Sequence, residues 1–150
     1  MNLSNDGLIN ENDLSIARDT LSTTDNSIVV VKNGEILLTK KGGGIRPLLE
    51  TIEELKERMI GSIIGDRILG KASALLLRYS KVSGVYAPQA TKTALAVLII
   101  GRIPVQTDEL IPFIQNKAKD GPCPFEKMLE GIESPEDAYN ILKENILKKD

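Results

Sequence analysis

The residues best suited to chemistry lie in the stretch GPCPFEKMLEG, residues 121–131. Cys123 directly precedes Pro124, a residue that suits the first turn of a helix. A thiol at a helix start lies near unpaired N–H groups, which stabilise its thiolate, and Glu126 is predicted to cap the N–H of Cys123. The pattern predicts a nucleophilic or redox thiol. The alternative is a small buried residue, with Glu126 serving only as a cap.

Lys71 is the second candidate catalytic residue, because it interrupts the small and apolar residues of GKASALL. A lysine in such a place binds an anionic group, or acts as a base when desolvation removes its charge. The alternative is a lysine that extends to solvent or pairs with a carboxylate. Asp66 is predicted to cap the same helix and is also a candidate ligand contact.

The segment KKGGGIRP, residues 40–47, offers glycine N–H groups beside three cationic side chains. That is the chemistry of a phosphate-binding nest, so Gly43, Gly44 and Arg46 are candidate ligand contacts. It is no Walker loop, because the Gly-Lys-Ser/Thr ending is absent. The alternative is a mobile turn. Asn116 is predicted to line the same pocket as Cys123, or else to belong to a polar surface loop.

The residue counts exclude several common kinds of catalytic site. The chain has one cysteine and no histidine, and zinc sites in proteins are built mainly from these two residues. Serine and cysteine hydrolases of the usual type also need a histidine. The sequence therefore predicts no metal site and no cofactor, and it excludes zinc-dependent deamination.

Charge and hydropathy limit the partners of the protein. A net charge of −2 and only five aromatic residues argue against a nucleic-acid surface. No apolar run approaches the length of a membrane span. The polar start of the chain has no signal-peptide pattern, and a single cysteine fits a reducing compartment, so we expect a cytoplasmic protein.

Hydrophobic periodicity predicts alternating helices and strands. The clearest signal is a hairpin with Asn33-Gly34 at its turn. The other predictions are a loose tail over 1–12, helices over 13–23, 47–60, 65–82 and 91–100, strands over 83–88 and 102–106, an extended segment over 109–116, and helices from 124 and 134. Asp13 is predicted to cap the first helix. The order predicts one α/β domain over residues 13–150, a three-layer α-β-α sandwich with a mixed sheet.

This order of elements resembles the cytidine-deaminase-like fold. The segments GGGIRPLL, GDRILGKASALL, LIPFIQNK and CPFEK resemble more closely an uncharacterised prokaryotic family that has this fold without zinc ligands. The resemblance implies that Gly70, Lys71 and Ala72 stand where the zinc enzymes have a ligand and the catalytic glutamate. It implies likewise that Gln89 and Lys92 stand where those enzymes have two cysteines.

Three hypotheses follow for the function. The first is a protein that binds a small anionic or nucleotide-like ligand near Arg46, Lys71, Asn116 and Cys123. The second is a metal-free enzyme in which Cys123 is the nucleophile and Glu126 or Lys71 assists proton transfer. The third is a non-catalytic interaction protein that forms a homo-oligomer. The sequence alone does not decide whether the protein is an enzyme.

Overall fold

The computed structural model describes residues 2–3, 10–115, 118–119, 121 and 123–147. Their strands are β1 (Asn2–Leu3), β2 (Ile28–Lys32), β3 (Glu35–Lys40), β4 (Ile63–Asp66), β5 (Ile68–Leu69), β6 (Gly84–Thr91) and β7 (Val105–Ile111). Their α-helices are α1 (Glu11–Thr23), α2 (Arg46–Leu55), α3 (Lys71–Tyr79), α4 (Lys92–Ile100), α5 (Pro124–Met128) and α6 (Pro135–Leu142). A 3₁₀ turn at Lys56–Met59 extends α2, and a π-helical turn at Lys143–Leu147 follows α6.

The strands form one mixed sheet in the order β1-β7-β6-β4-β2-β3, with β5 also paired to β6. β4, β6 and β7 are parallel, whereas β2 pairs antiparallel with both β3 and β4. α1 covers one face of the sheet through a small apolar cluster, and the other helices cover the opposite face through the main core. The predicted α/β fold, a three-layer sandwich with a mixed sheet, is confirmed.

The hairpin prediction is confirmed, because Asn33 and Gly34 have φ values of 52° and 82°, as a type I′ turn requires. The prediction that Asp13 caps α1 is wrong. The cap is Asn10, whose side chain accepts a hydrogen bond from the N–H of Asp13 at 3.0 Å. The buried Asp13 carboxylate instead accepts a hydrogen bond from the N–H of Gly34 at 2.9 Å and so ties α1 to the hairpin turn.

The predicted helix over residues 65–82 is wrong in its first third. β4 and β5 occupy that part, and α3 begins only at Lys71. β4 and residues 72–77 of α3 are buried on all sides, and elements buried in this way lack the periodicity that separates a strand from a helix. Gly65 belongs to the strand, where a Cβ would lie 2.6 Å from Val29 Cγ1 under α1.

The sequence predicts a strand over 102–106 and an extended segment over 109–116. In the described part of this range, up to residue 115, a single strand, β7, spans both, and its pairing with β6 extends as far as Thr91 and Ile111. β6 itself continues past Pro88, where the sequence predicted its end. Part of the predicted loose tail lies in regular structure, because Asn2–Leu3 pairs with β7 and α1 begins at Glu11.

Candidate functional site

The parallel strands β4, β6 and β7 end at the same edge of the sheet, which we call the carboxyl edge. α3 and α4 both begin there, shortly after the strands that precede them. In open α/β sheets, ligands bind outside the carboxyl ends of the strands. The hairpin strand β3 also ends at this edge, since Lys40 and Asp66 both pair with Ile28. The topology therefore brings several of the predicted site residues to one side of the molecule.

The Glu126 carboxylate binds the first backbone groups of α3. Its Oε1 accepts a hydrogen bond from the N–H of Lys71 at 2.8 Å, and its Oε2 accepts one from the N–H of Ala72 at 2.9 Å. These N–H groups have no partner within the helix, and the helix dipole favours a negative charge beside them. Glu126 thus caps α3, 55 residues earlier in the chain. The prediction that it caps the N–H of Cys123 is wrong, because that N–H donates to the carbonyl of Ile114 at 2.7 Å.

Gly70 makes this cap sterically possible. Its φ of −113° and ψ of −172° are ordinary extended values, so the backbone does not require glycine. A Cβ at this position, however, would lie 2.5 Å from Glu126 Oε1 and 2.7 Å from Ile114 Cγ1. The glycine therefore serves the close approach of the carboxylate.

The side chain of Lys71 also contacts the segment that contains Glu126, through its ammonium group. Nζ donates a hydrogen bond to the carbonyl of Leu129 at 2.9 Å and lies 3.5 Å from Glu133 Oε2. The lysine side chain is largely buried, with 15% exposure, whereas that of Glu133 is 81% exposed. The carbonyl bond therefore holds the ammonium in place, and the exposed ion pair adds little.

Cys123 is half-buried and is the residue before the five-residue helix α5. Its carbonyl accepts hydrogen bonds from the N–H groups of Glu126 and Lys127 at 3.1 and 3.3 Å. Among the described contacts, no hydrogen bond joins its thiol to Glu126 or Lys71. The structure thus brings the three candidate catalytic residues to the same place, but Glu126 and Lys71 are both engaged with backbone groups.

Asp66 is the last residue of β4 and does not cap α3, contrary to the prediction. Its residue exposure is 5%, and its Oδ2 has no hydrogen-bond partner among the described residues. Burial raises the pKa of Asp66 to about 7, and hydrogen bonds from Ser73 and the backbone of Ile68 offset part of this shift. The carboxyl group therefore keeps its proton to a much higher pH than an exposed aspartic acid does.

Arg46 and the glycine loop occupy the carboxyl edge on the α2 side. The Arg46 guanidinium donates to the carbonyl of Ile146 at 2.9 Å and pairs with Glu50 at 3.3 Å. Gly44 has a φ of 74° and needs glycine for its turn, whereas Gly43 has no positive φ. A Cβ added at either glycine would have no neighbouring atom within 4 Å, so the loop is open to solvent. Asn116 lies outside the described residues.

A cavity of about 290 Å³ opens at the carboxyl edge, beyond the ends of β5, β6 and β7. None of the described candidate residues lines it. Its walls are apolar for the most part, with two amides and one ammonium group. The lining residues are Ile68, Gln89, Ile111, Pro112, Phe113, Ile114, Gln115 and Lys119.

Sequence reasoning missed most of this cavity. The sequence indicated Gln89 only as a replacement for a zinc-binding cysteine, and its amide donates to Glu109 at 2.9 Å. Phe113 is 44% exposed, which is unusual for a phenylalanine, but this exposure is a property of the fold and cannot be read from the sequence. Ile114 connects the cavity with the Glu126 cap, because it faces Gly70 and its carbonyl holds the N–H of Cys123.

A family model shows where the chain belongs. The model of the domain of unknown function DUF1893 (TM1506) matches residues 16–146. The chain belongs to the DUF1893 family. Its structure is similar to the crystal structure of a DUF1893 family protein, TM1506 from Thermotoga maritima, with a TM-score of 0.84, 27% identity and 93% of each chain covered. The predicted resemblance to an uncharacterised family with this fold is confirmed. No curated protein matches the sequence.

Two structures of RibD from Acinetobacter baumannii, form 1 and form 2, are more distant from this chain. Each gives a TM-score of 0.52 at 13% identity and covers 65% of this chain and 35% of the RibD chain. At this identity the likeness concerns the fold alone, and it supports the cytidine-deaminase-like fold.

Two further findings concern metals and membranes. The described residues contain no group of three or more His, Cys, Asp or Glu side chains that could hold a metal ion. No helix within the described ranges is long and apolar enough to cross a membrane.

Proposed function

We propose that this DUF1893 protein binds a small nucleotide-like anion in the cavity at the carboxyl edge. The observation that carries the proposal is the lining of that cavity. Five apolar side chains offer surface for a ring, Gln89 and Gln115 offer amide donors and acceptors, and Lys119 offers one positive charge. Apolar walls with a few polar groups are the usual composition of a ligand site.

The anionic group of the ligand is assigned to Lys119 rather than to the start of α3. Glu126 already occupies the N–H groups of Lys71 and Ala72, and the Lys71 ammonium is bound to a carbonyl. A ligand would have to displace an intramolecular carboxylate to bind there. Our proposal therefore places the ligand in this cavity, whereas the sequence predicted a site near Arg46, Lys71, Asn116 and Cys123.

The other two hypotheses stay predictions. A Cys123 enzyme needs a base, and both oxygens of Glu126 are engaged with N–H groups. The second of these hypotheses, a non-catalytic homo-oligomer, is likewise untested, and so is a cytoplasmic location. Neither hypothesis has a specific observation that favours it over ligand binding.

The test is thermal unfolding of the protein with adenosine, cytidine and guanosine monophosphates and with ribose 5-phosphate. We expect at least one nucleotide to raise Tm, because a ligand at 100 times its Kd stabilises a protein by about 2.7 kcal/mol. Ribose 5-phosphate is expected to raise Tm less, since it has no ring to cover the apolar walls.

The variant Lys119→Met keeps the length of the side chain and removes its charge. It should weaken nucleotide binding about tenfold, which corresponds to about 1.4 kcal/mol. Lys127→Met is the matched control, because Lys127 is exposed on α5 and does not line the cavity. No stabilisation by any of these compounds at about 100 times a micromolar Kd would count against the proposal.

A further inference from the structure

A second cavity lies at the opposite edge of the sheet, where α3 and α4 end. Arg78, Lys81 and Arg102 line this cavity of about 360 Å³, which we call the basic groove. The rest of its lining is apolar or glycine. None of the three cationic side chains forms an ion pair with another described residue.

The charge of the basic groove is opposite to that of the whole chain. The sequence contains 21 acidic and 19 basic residues, yet no carboxylate lines the groove. Glu136 and Asp137 lie in the first turn of α6, next to the lining residue Pro135, but neither contributes to the groove. Like charges gathered without counter-charges repel one another, and a bound anion removes that repulsion.

Two of the cations occupy backbone positions that favour glycine. Lys81 and Arg102 have φ values of 58° and 61°. Each lies two residues after the last residue of its helix, α3 or α4. The next N–H in each case closes the helix end, from Val82 to Leu77 at 3.5 Å and from Ile103 to Leu98 at 2.9 Å. Glycine is the common residue at this place. Capping therefore does not explain why both helices carry a long cationic side chain here.

Gly101 provides room for the third cation. Its φ of −80° is one that any residue adopts. A Cβ at this position would lie 2.7 Å from Nε and 2.8 Å from Cδ of Arg78. The missing side chain thus lets the Arg78 guanidinium lie across the end of α4, beside Arg102.

We propose that the basic groove binds the phosphate groups of a small phosphorylated molecule, through Arg78, Lys81 and Arg102. Guanidinium groups donate paired hydrogen bonds to phosphate oxygens, and a lysine adds a point charge. The volume suits a diphosphate or a sugar phosphate rather than a single small ion. This site is separate from the cavity at the carboxyl edge and does not depend on the proposed function.

The test is calorimetric titration of the whole chain with pyrophosphate at constant ionic strength. We expect saturable binding by the native protein. The double variant Lys81→Gly, Arg102→Gly should bind at least about tenfold more weakly. Its Tm should not fall, because glycine fits both positive-φ positions better than a residue with a Cβ. Lys56→Gly is the matched control: it also removes a cation at a positive φ, 49°, outside the basic groove.

Three results would overturn the proposal. They are the absence of saturable heat up to about 10 mM pyrophosphate, an unchanged affinity in the double variant, and an equal loss of affinity in Lys56→Gly. Lys119→Met distinguishes the two cavities, and it should keep the native affinity for pyrophosphate. A loss of pyrophosphate binding in that variant would assign the ligand to the carboxyl edge and contradict the basic groove.

Discussion

The two ends of α3 lie at opposite edges of the sheet, and the protein treats their charges differently. At the start, the Glu126 carboxylate binds two N–H groups and fills the place that an external anion would take. At the end, Arg78 and Lys81 lie beside Arg102 with no described carboxylate partner. A satisfied site contributes to the stability of the fold, whereas an unsatisfied one is available for a ligand. The start of α3 should therefore respond to mutation through stability, and the end through binding.

The largest expected effect concerns Asp66, near the start of α3. Burial raises its pKa from 3.8 to about 7 in the folded protein. The folded state therefore binds more protons than the unfolded state between these pH values. The free energy of unfolding should fall as pH rises through this window, by on the order of 4 kcal/mol. Urea unfolding of the native protein and of Asp66→Asn across the window measures this.

In Asp66→Asn this decrease should disappear. The exposed Asp25 provides a control, because its hydrogen bond with Lys41 lowers its pKa instead of raising it. In Asp25→Asn, stability should still fall as pH rises through this window. If the native protein and Asp66→Asn share the same pH slope, the carboxyl group does not titrate as described.

Gly70→Ala should have the second-largest effect. The new Cβ would lie 2.5 Å from the Glu126 carboxylate, so the cap of α3 has to move. We expect a loss of about 2–3 kcal/mol in the free energy of unfolding. Chemical denaturation measures it. The double variant Gly70→Ala, Glu126→Ala should lose less stability than the sum of the losses in the two single variants. A loss equal to that sum would contradict the shared contact.

Lys71→Met should destabilise the protein by about 1 kcal/mol. Methionine retains most of the apolar stem but loses the hydrogen bond to the Leu129 carbonyl at 2.9 Å. Glu133→Gln removes only the exposed ion pair and should change stability by less than about 0.5 kcal/mol. Equal losses in these two variants, measured by urea unfolding, would show that the carbonyl bond is unimportant.

Gly101→Ala should have the smallest effect on stability, within about 0.5 kcal/mol. The Cβ meets the flexible and partly exposed side chain of Arg78, which can move. Pyrophosphate affinity should nevertheless fall several-fold, because Arg78 loses its place in the basic groove. Calorimetry measures the pyrophosphate affinity, and thermal unfolding of the same sample measures the stability. A large fall in Tm with unchanged affinity would reverse the comparison between the ends of α3.

The local patterns in the sequence predicted the elements that depend on neighbouring residues. Asn33-Gly34 specified the hairpin, and Ser134-Pro135 specified the start of α6, where the Ser134 hydroxyl accepts a hydrogen bond from the N–H of Asp137. The prediction over residues 65–82 was partly wrong, because burial on all sides removes the amphipathic signal that separates a strand from a helix.

The sequence by itself determined which chemistry is missing, since one cysteine and no histidine exclude a conventional zinc site. It also determined the fold class and drew attention to Lys71, Cys123 and Glu126. Only the tertiary structure decided that Glu126 caps a helix 55 residues away and that three cations share one groove. Both arrangements join residues that are distant in the chain, and the periodicity of a single segment contains no information about such contacts.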